Sequence, residues 1–255
     1  MEISNNNNVK VSLDFIKSLL RKIKYYVINK NPFQTKLNGA IKVSFSQSGE
    51  DLIIKYIFNA LNIAKPTYLD IGAHHPEHLN NTKIFYDSGS NGVNIEANPH
   101  LINAFNEERK RDTNLNCGIG IENKSLDFYI LSESTLSTFS KAEAEKACQE
   151  GGYNITEIIK IPVISIQEVF KKYFFHSPPD LLSIDVEGWD YEILSAIDFD
   201  NTRPTIICVE SISFSANGNG VKDDRINSLL SENGYMFYAD TNINSIFVLE
   251  KLWRK

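Results

Sequence analysis

From residue 67 onward the chain alternates between short apolar runs and longer segments whose apolar positions recur at helical spacing. The runs near 67–71, 92–96, 113–117, 126–131, 180–185 and 205–210 predict strands. The segments near 78–88, 99–108, 140–149, 165–173 and 190–197 predict helices. Strands that are apolar throughout are covered on both faces, which is the pattern of a parallel sheet packed between two layers of helices. A helix near 221–233 stops at Asn233-Gly234, a C-cap signal. Two strands then follow, at 235–238 and 245–249, joined by a polar turn over 240–244. So short a link forces an antiparallel pair. The expected architecture is an α/β fold with a mostly parallel seven-stranded sheet, a C-terminal antiparallel hairpin and helices on both faces.

Upstream, Val11, Phe15, Leu19, Leu20, Ile23 and Val27 fall at helical spacing with Lys17, Arg21, Lys22 and Lys24 between them. This predicts a basic amphipathic helix over 11–28, stopped by Asn31-Pro32. Its expected use is packing, on its own domain or as a homodimer contact, rather than membrane association. A second helix near 51–62 has Ser46 and Ser48 as candidate caps. The implied organisation is an N-terminal extension over 1–40 and one large domain over 41–255.

Charge narrows the partners. A net charge of −6 over 255 residues gives no general attraction to a phosphate backbone, so nucleic acid is not expected as a substrate. Cys117, Cys148 and Cys208 form no CxxC pair and predict neither a disulfide framework nor a zinc site. The first 20 residues contain no continuous apolar stretch, and no segment reaches the roughly 18 apolar residues of a membrane span. The resulting expectation is a cytoplasmic protein acting on a small molecule or glycan.

The chemistry lies where the strands end. Asp70, Glu96, Asp185 and Glu210 each close an apolar run, so a parallel sheet would gather four carboxylates on its carboxyl rim, where ligands of such sheets bind. Gly72 is the only glycine in the turn after the first strand, and His74, His75 and Pro76 occupy the positions where a GxGxxG fingerprint would continue. A pyrophosphate therefore has no close approach to the backbone. S-adenosylmethionine has none to place. Its cationic amino-acid end suits a tight turn and carboxylates, and Glu96 can hold both ribose hydroxyls.

Four motifs carry a family resemblance. They are residues 44–52 (Ser-Phe-Ser-Gln-Ser-Gly-Glu-Asp-Leu), 68–75 (Tyr-Leu-Asp-Ile-Gly-Ala-His-His) with Asn80-Asn-Thr82, 92–99 (Gly-Val-Asn-Ile-Glu-Ala-Asn-Pro) and 182–188 (Leu-Ser-Ile-Asp-Val-Glu-Gly). In order and spacing they resemble the FkbM family of S-adenosylmethionine-dependent methyltransferases over about residues 43–212. The resemblance implies a Rossmann-like methyltransferase fold and O-methylation of a hydroxyl on a sugar or natural product. It also implies that Gln47, Glu50 and Asp51 close over the methionine end of the cofactor and that Asp70 and Gly72 line it. Glu96, with Asn98 beside it, would hold the ribose, and Asp185 and Glu187 would face the methyl group and the acceptor.

A sugar hydroxyl is a poor nucleophile and needs a base or a metal. His75 is the first candidate base and His74 the second, because imidazole titrates near working pH. The competing device is a divalent ion such as Mg²⁺ on Asp185, Glu187 and Glu210. The hydroxyl-rich segment 132–140 and the segment 211–220 are candidate acceptor walls, the latter as a flexible lid, and Trp189 and Phe214 are candidate stacking groups. Two alternatives stand beside the methyltransferase: an NAD-dependent sugar oxidoreductase and a non-catalytic nucleoside-binding module.

Overall fold

The computed structural model describes residues 41–215 and 220–254. The expected helix over 11–28 and residues 216–219 of the expected lid lie outside them. All the described helices and strands belong to one unit, Ser44–Lys255.

A seven-stranded sheet forms its centre. β1 (Tyr68–Ile71), β2 (Gly92–Ile95), β3 (Thr113–Leu115), β7 (Leu181–Ile184), β8 (Ile206–Glu210), β9 (Tyr235–Asp240) and β10 (Asn244–Leu249) lie in the order β3-β2-β1-β7-β8-β10-β9. The pairs from β3 to β8 are parallel, and β10 runs antiparallel to both β8 and β9. The helices are α1 (Glu50–Ala60), α2 (Lys83–Asp87), α3 (Ile102–Glu108), α4 (Lys141–Gly151), α5 (Ile166–Tyr173), α6 (Asp190–Ser195), α7 (Asp224–Glu232) and α8 (Glu250–Trp253). The expected α/β architecture and terminal hairpin are both present.

Period-two alternation divides the core between the two faces of the sheet. Leu69, Ile71, Leu182, Ile184, Ile207 and Val209 pack with Val169 and Phe170 of α5, Ile193 and Leu194 of α6, and Ile226 and Leu230 of α7. The intervening Tyr68, Leu181, Ile206 and Cys208 pack with Ile54, Ile57 and Phe58 of α1 and with Phe85 of α2. Burying each of these aliphatic or aromatic side chains contributes roughly 1.5–3 kcal/mol. The sheet is thereby a rigid platform for whatever its ends carry.

Two features depart from the expectation. The run at 126–131 is not part of the main sheet. It belongs to β5 (Lys124–Leu131), which pairs antiparallel with β6 (Ile155–Ser165) in a separate three-stranded sheet with β4 (Gly118–Gly120). The 11-residue β6 has no sequence expectation at all. Its exposed Thr156, Glu157, Lys160 and Pro162 interrupt the apolar run that marks a doubly covered strand. This sheet stands beside the rim and carries the 3₁₀ turn Ser134–Leu136 toward it.

Candidate active site

β1, β2, β7 and β8 deliver their carboxyl ends to one rim, where two cavities share Gly72, His74, Thr135, Asp185 and Glu187. One is a narrow slot with Ile119, Phe128, Phe139 and Trp189 on its walls and Glu96 at its polar side. The other is a wider cavity of about 360 Å³ whose polar walls include Gln47, Asn81, Glu210 and Asn244.

The turn between them is made by close backbone approach. Gly72 has φ +76°, and a Cβ there would lie 1.7 Å from the Asp185 carbonyl oxygen. Only glycine fits. Among the described residues five non-glycine residues have positive φ, and His74, Leu79, Glu187 and Asn242 of these line the wide cavity. Left-handed backbone costs such residues roughly 1–2 kcal/mol each, and it survives where the surroundings enforce it. The backbone strain of the described residues is thus gathered at this rim.

Glu96 is buried, at 6% exposure. Its two oxygens accept the backbone N–H of Asn98 at 2.7 Å and of His74 at 2.8 Å, tying together the turns after β2 and β1. Burial pushes its pKa up to about 7 against the pull of those two bonds, and the charges of Asp70 and Asp185 add to the rise. Each oxygen keeps lone-pair capacity for a further donor. A vicinal diol offers two.

Asp185, Glu187 and Glu210 face one another with their nearest ligand-capable atoms all within 4.8 Å. Burial raises all three; the charges of Asp70 and Glu50 add to the rise of Asp185, that of Asp185 to the rise of Glu187, and those of Glu187 and Asp185 to the rise of Glu210. Asp185 reaches about 6, and Glu187 and Glu210 rise well above the carboxylate range. Asp190 behind them accepts the N–H of Val186 at 3.2 Å and of Gly188 at 3.3 Å, and burial pushes it to about 7. Among the described residues no basic side chain lowers any of these four. The group is therefore an uncompensated negative centre that asks for protons or for a cationic ligand.

These features meet in one family. The family model for the methyltransferase FkbM domain matches residues 70–237, most of the chain. The protein belongs to the FkbM methyltransferase family. That membership bears out the motif resemblance and sets aside a nicotinamide oxidoreductase. No curated protein matches the chain. Solved structures of similar shape include a Staphylococcus aureus protein provisionally called a caffeoyl-CoA O-methyltransferase, at 12% identity and TM-score 0.45, covering 92% of this chain and 100% of that one. A TehB-like S-adenosylmethionine-dependent methyltransferase from Corynebacterium glutamicum shares 8% identity at TM-score 0.40, covering 92% and 98%. A Burkholderia thailandensis 1,6-didemethyltoxoflavin-N1-methyltransferase with bound S-adenosylhomocysteine shares 7% at TM-score 0.38, covering 95% and 91%. At such values these likenesses bear on no functional assignment.

In this FkbM-family chain the rim brings together Gln47, Gly72, His74, Glu96, Asp185, Glu187 and Glu210. The other sequence candidates face elsewhere, each for a local reason. Asp70 points to the α1–α2 side of the sheet, where its Oδ2 accepts from Thr82 Oγ1 at 2.9 Å and Asn80 Nδ2 at 3.3 Å. Glu50 accepts from Thr241 Oγ1 at 2.6 Å and Asn244 Nδ2 at 3.1 Å, fastening α1 to the terminal hairpin. Asp51 accepts from Ser44 Oγ at 2.6 Å and the Phe45 N–H at 2.8 Å, and closes the loop before α1. Asn98 Oδ1 accepts the His100 N–H at 3.0 Å, so this side chain shapes a turn.

The histidines exchange ranks. His75 lines neither cavity, and its Nδ1 accepts the N–H groups of Glu77 and His78 at 3.1 and 3.0 Å. His74, turned by its positive φ, lines both. Its Nε2 lies 3.1 Å from Ser134 Oγ, and its buried Nδ1 has no partner. Burial, then the nearby His75 and His78, hold its pKa below the usual value. Trp189 and the hydroxyls of Ser134, Thr135 and Ser137 line the slot, and Phe214 lines the wide cavity. Asn244 and Ile119 are not among the site residues that the sequence suggests, and Phe139 enters there only as part of the segment 132–140. Asn244 stands opposite Glu210 in the β8–β10 register, a pairing that only the hairpin geometry reveals.

Proposed function

We propose that the protein is an S-adenosylmethionine-dependent O-methyltransferase acting on a hydroxyl of a sugar or sugar-containing metabolite. The observation that carries the reading is Glu96, a carboxylate fixed by two backbone N–H groups at the polar side of an apolar slot. Its free lone pairs suit a ribose diol, and Ile119, Phe139 and Trp189 offer apolar walls to an aromatic base. The slot opens past Gly72 into the negative cavity, which suits the cationic end of the same ligand.

When bound, S-adenosylmethionine supplies a methyl group already activated for displacement. The protein's own work is then alignment and proton removal. Asp185, Glu187 and Glu210 titrate as one group, and its ionised member takes the acceptor hydroxyl's proton. A base held near neutrality is well matched to that task. Ser134, Thr135, Asn81 and Asn244 on the walls orient a polyol by hydrogen bonding.

A second reading rests on the 4.8 Å grouping of the same three carboxylates. Mg²⁺ held by Asp185, Glu187 and Glu210 would act as a Lewis acid toward the hydroxyl. Activity that survives exhaustive chelation assigns proton removal to the carboxylates alone.

Incubation with methyl-labelled S-adenosylmethionine and a panel of glycosides tests the proposal, with products located by NMR. Label on a sugar oxygen is the expected result. Label on nitrogen or carbon, with sugar hydroxyls untouched, overturns it.

A further inference from the structure

Among the described residues, the walls of the wide cavity carry three carboxylates and no basic group other than His74, whose pKa is lowered by burial. We propose that the acceptor is an uncharged or amino-bearing hydroxyl compound, and that phosphorylated and nucleotide-linked sugars are excluded. This rests on the methyltransferase reading above and names the acceptor class of the same site.

The cations described near the cavity are all engaged. Arg225 lines a neighbouring cleft that shares Glu187 and Glu210, but Asp223 holds it at 2.5 Å and Glu192 lies at 3.8 Å. Lys222 is paired with Asp240 at 2.8 Å. Lys146 donates to the Phe214 carbonyl at 2.7 Å and lines neither cavity. Arg109 reaches Asp70 from the far side of the sheet and has Asp112 at 2.9 Å. The intervening residues 216–219 read Ala-Asn-Gly-Asn and bring no charged side chain.

Independently of charge, the wall asks for donors. Asn244, 3% exposed, lines the cavity and has a buried side-chain oxygen without a partner. A hydroxyl or an ammonium can donate to such an oxygen, whereas an ionised phosphate offers only acceptors. A phosphate would meet like charge and leave that oxygen unsatisfied. An amino group would relieve the first and answer the second. The diphosphate of an activated sugar would therefore have to leave, in a glycosyl transfer, before methylation.

The test is a matched panel presented to the intact chain with S-adenosylmethionine: methyl glycosides, methyl 2-amino-2-deoxyglycosides, the corresponding sugar 1-phosphates and UDP-sugars. Binding of each to the S-adenosylhomocysteine-loaded protein is titrated in parallel. Neutral or amino glycosides should be methylated or bound, with phosphorylated forms weaker by on the order of a hundredfold or more. Glu210→Gln should shift that ratio toward the phosphorylated forms by roughly tenfold, because one member of the coupled acid group, and its share of the negative charge, is gone. Equal or better use of a sugar phosphate or UDP-sugar overturns the acceptor class and leaves the methyltransferase reading standing. Failure of every neutral and amino glycoside, with S-adenosylhomocysteine still bound, also overturns it. Failure to bind S-adenosylhomocysteine overturns the reading beneath.

Discussion

Substituting Gly72 by alanine probes the turn on which the whole rim depends. The new Cβ would lie 1.7 Å from the Asp185 carbonyl oxygen, at φ +76°. Ordinary contact needs about 1.5 Å more, and both partners are backbone, so no side chain can swing aside. The left-handed conformation costs alanine roughly 1–2 kcal/mol. Parting β1 from β7 also stretches the Asp185 N–H bond to the Ile71 carbonyl, now 3.0 Å, and displaces Gly72 against β2, where its N–H donates to the Ile95 carbonyl at 3.0 Å. Each is worth about 1 kcal/mol. Together the loss is about 3–4 kcal/mol, a large part of the roughly 5–15 kcal/mol that holds a domain folded. Urea unfolding measures it directly, and a thermal scan should show a drop of the order of 10 °C. An alanine variant within about 1 kcal/mol of the parent would refute the described approach of the two strand ends.

Three further outcomes are expected. Arg109→Met removes a fully buried guanidinium that bonds Asp112, Tyr68, Thr82, Asn80 and the Pro76 carbonyl, and should cost about 3–5 kcal/mol in urea unfolding; a loss below about 1 kcal/mol contradicts that network. The cofactor-free protein should lose stability as pH rises from about 4, the range of unfolded carboxylates, to about 7. Glu96, Asp185 and Asp190 bind protons more tightly folded than unfolded, so their contribution is complete below the unfolded values and gone above about 7. Glu210→Gln should flatten that fall, and a denaturation midpoint that climbs across the window counts against the uncompensated acid group. Finally, His75→Ala should leave kcat/KM near the parent's, whereas His74→Ala should lower it by roughly tenfold or more, since of the two only His74 lines the cavities. Equal effects of the two substitutions would undo that assignment.

Much of the architecture is legible in the chain alone because strand period and strand-end acids are local signals. The apolar runs at 68–71, 92–95, 181–184 and 206–210 place the sheet. The acids Glu96, Asp185 and Glu210 then reach the rim because parallel strands share a direction. What remained hidden was set by orientation. Asp70 ends a strand like the others, yet side chains alternate, and the donors waiting for it, Thr82 and Asn80, lie on the opposite face. His74 and His75 are adjacent in sequence, and a single positive φ decides which faces the cavity. β6 was unreadable because its pairing partner β5 lies outside the main sheet, so its outer positions are free to be polar.

The most direct test is a calorimetric titration of the intact protein and of Glu96→Ala with S-adenosylhomocysteine, each shown to be folded by its thermal transition. Losing two hydrogen bonds to a charged acceptor removes about 3–5 kcal/mol of binding. Micromolar affinity in the parent should therefore weaken at least about a hundredfold in the variant. A well-folded parent that does not bind, or a variant that binds within a few-fold of it, would contradict the placement of the cofactor on Glu96.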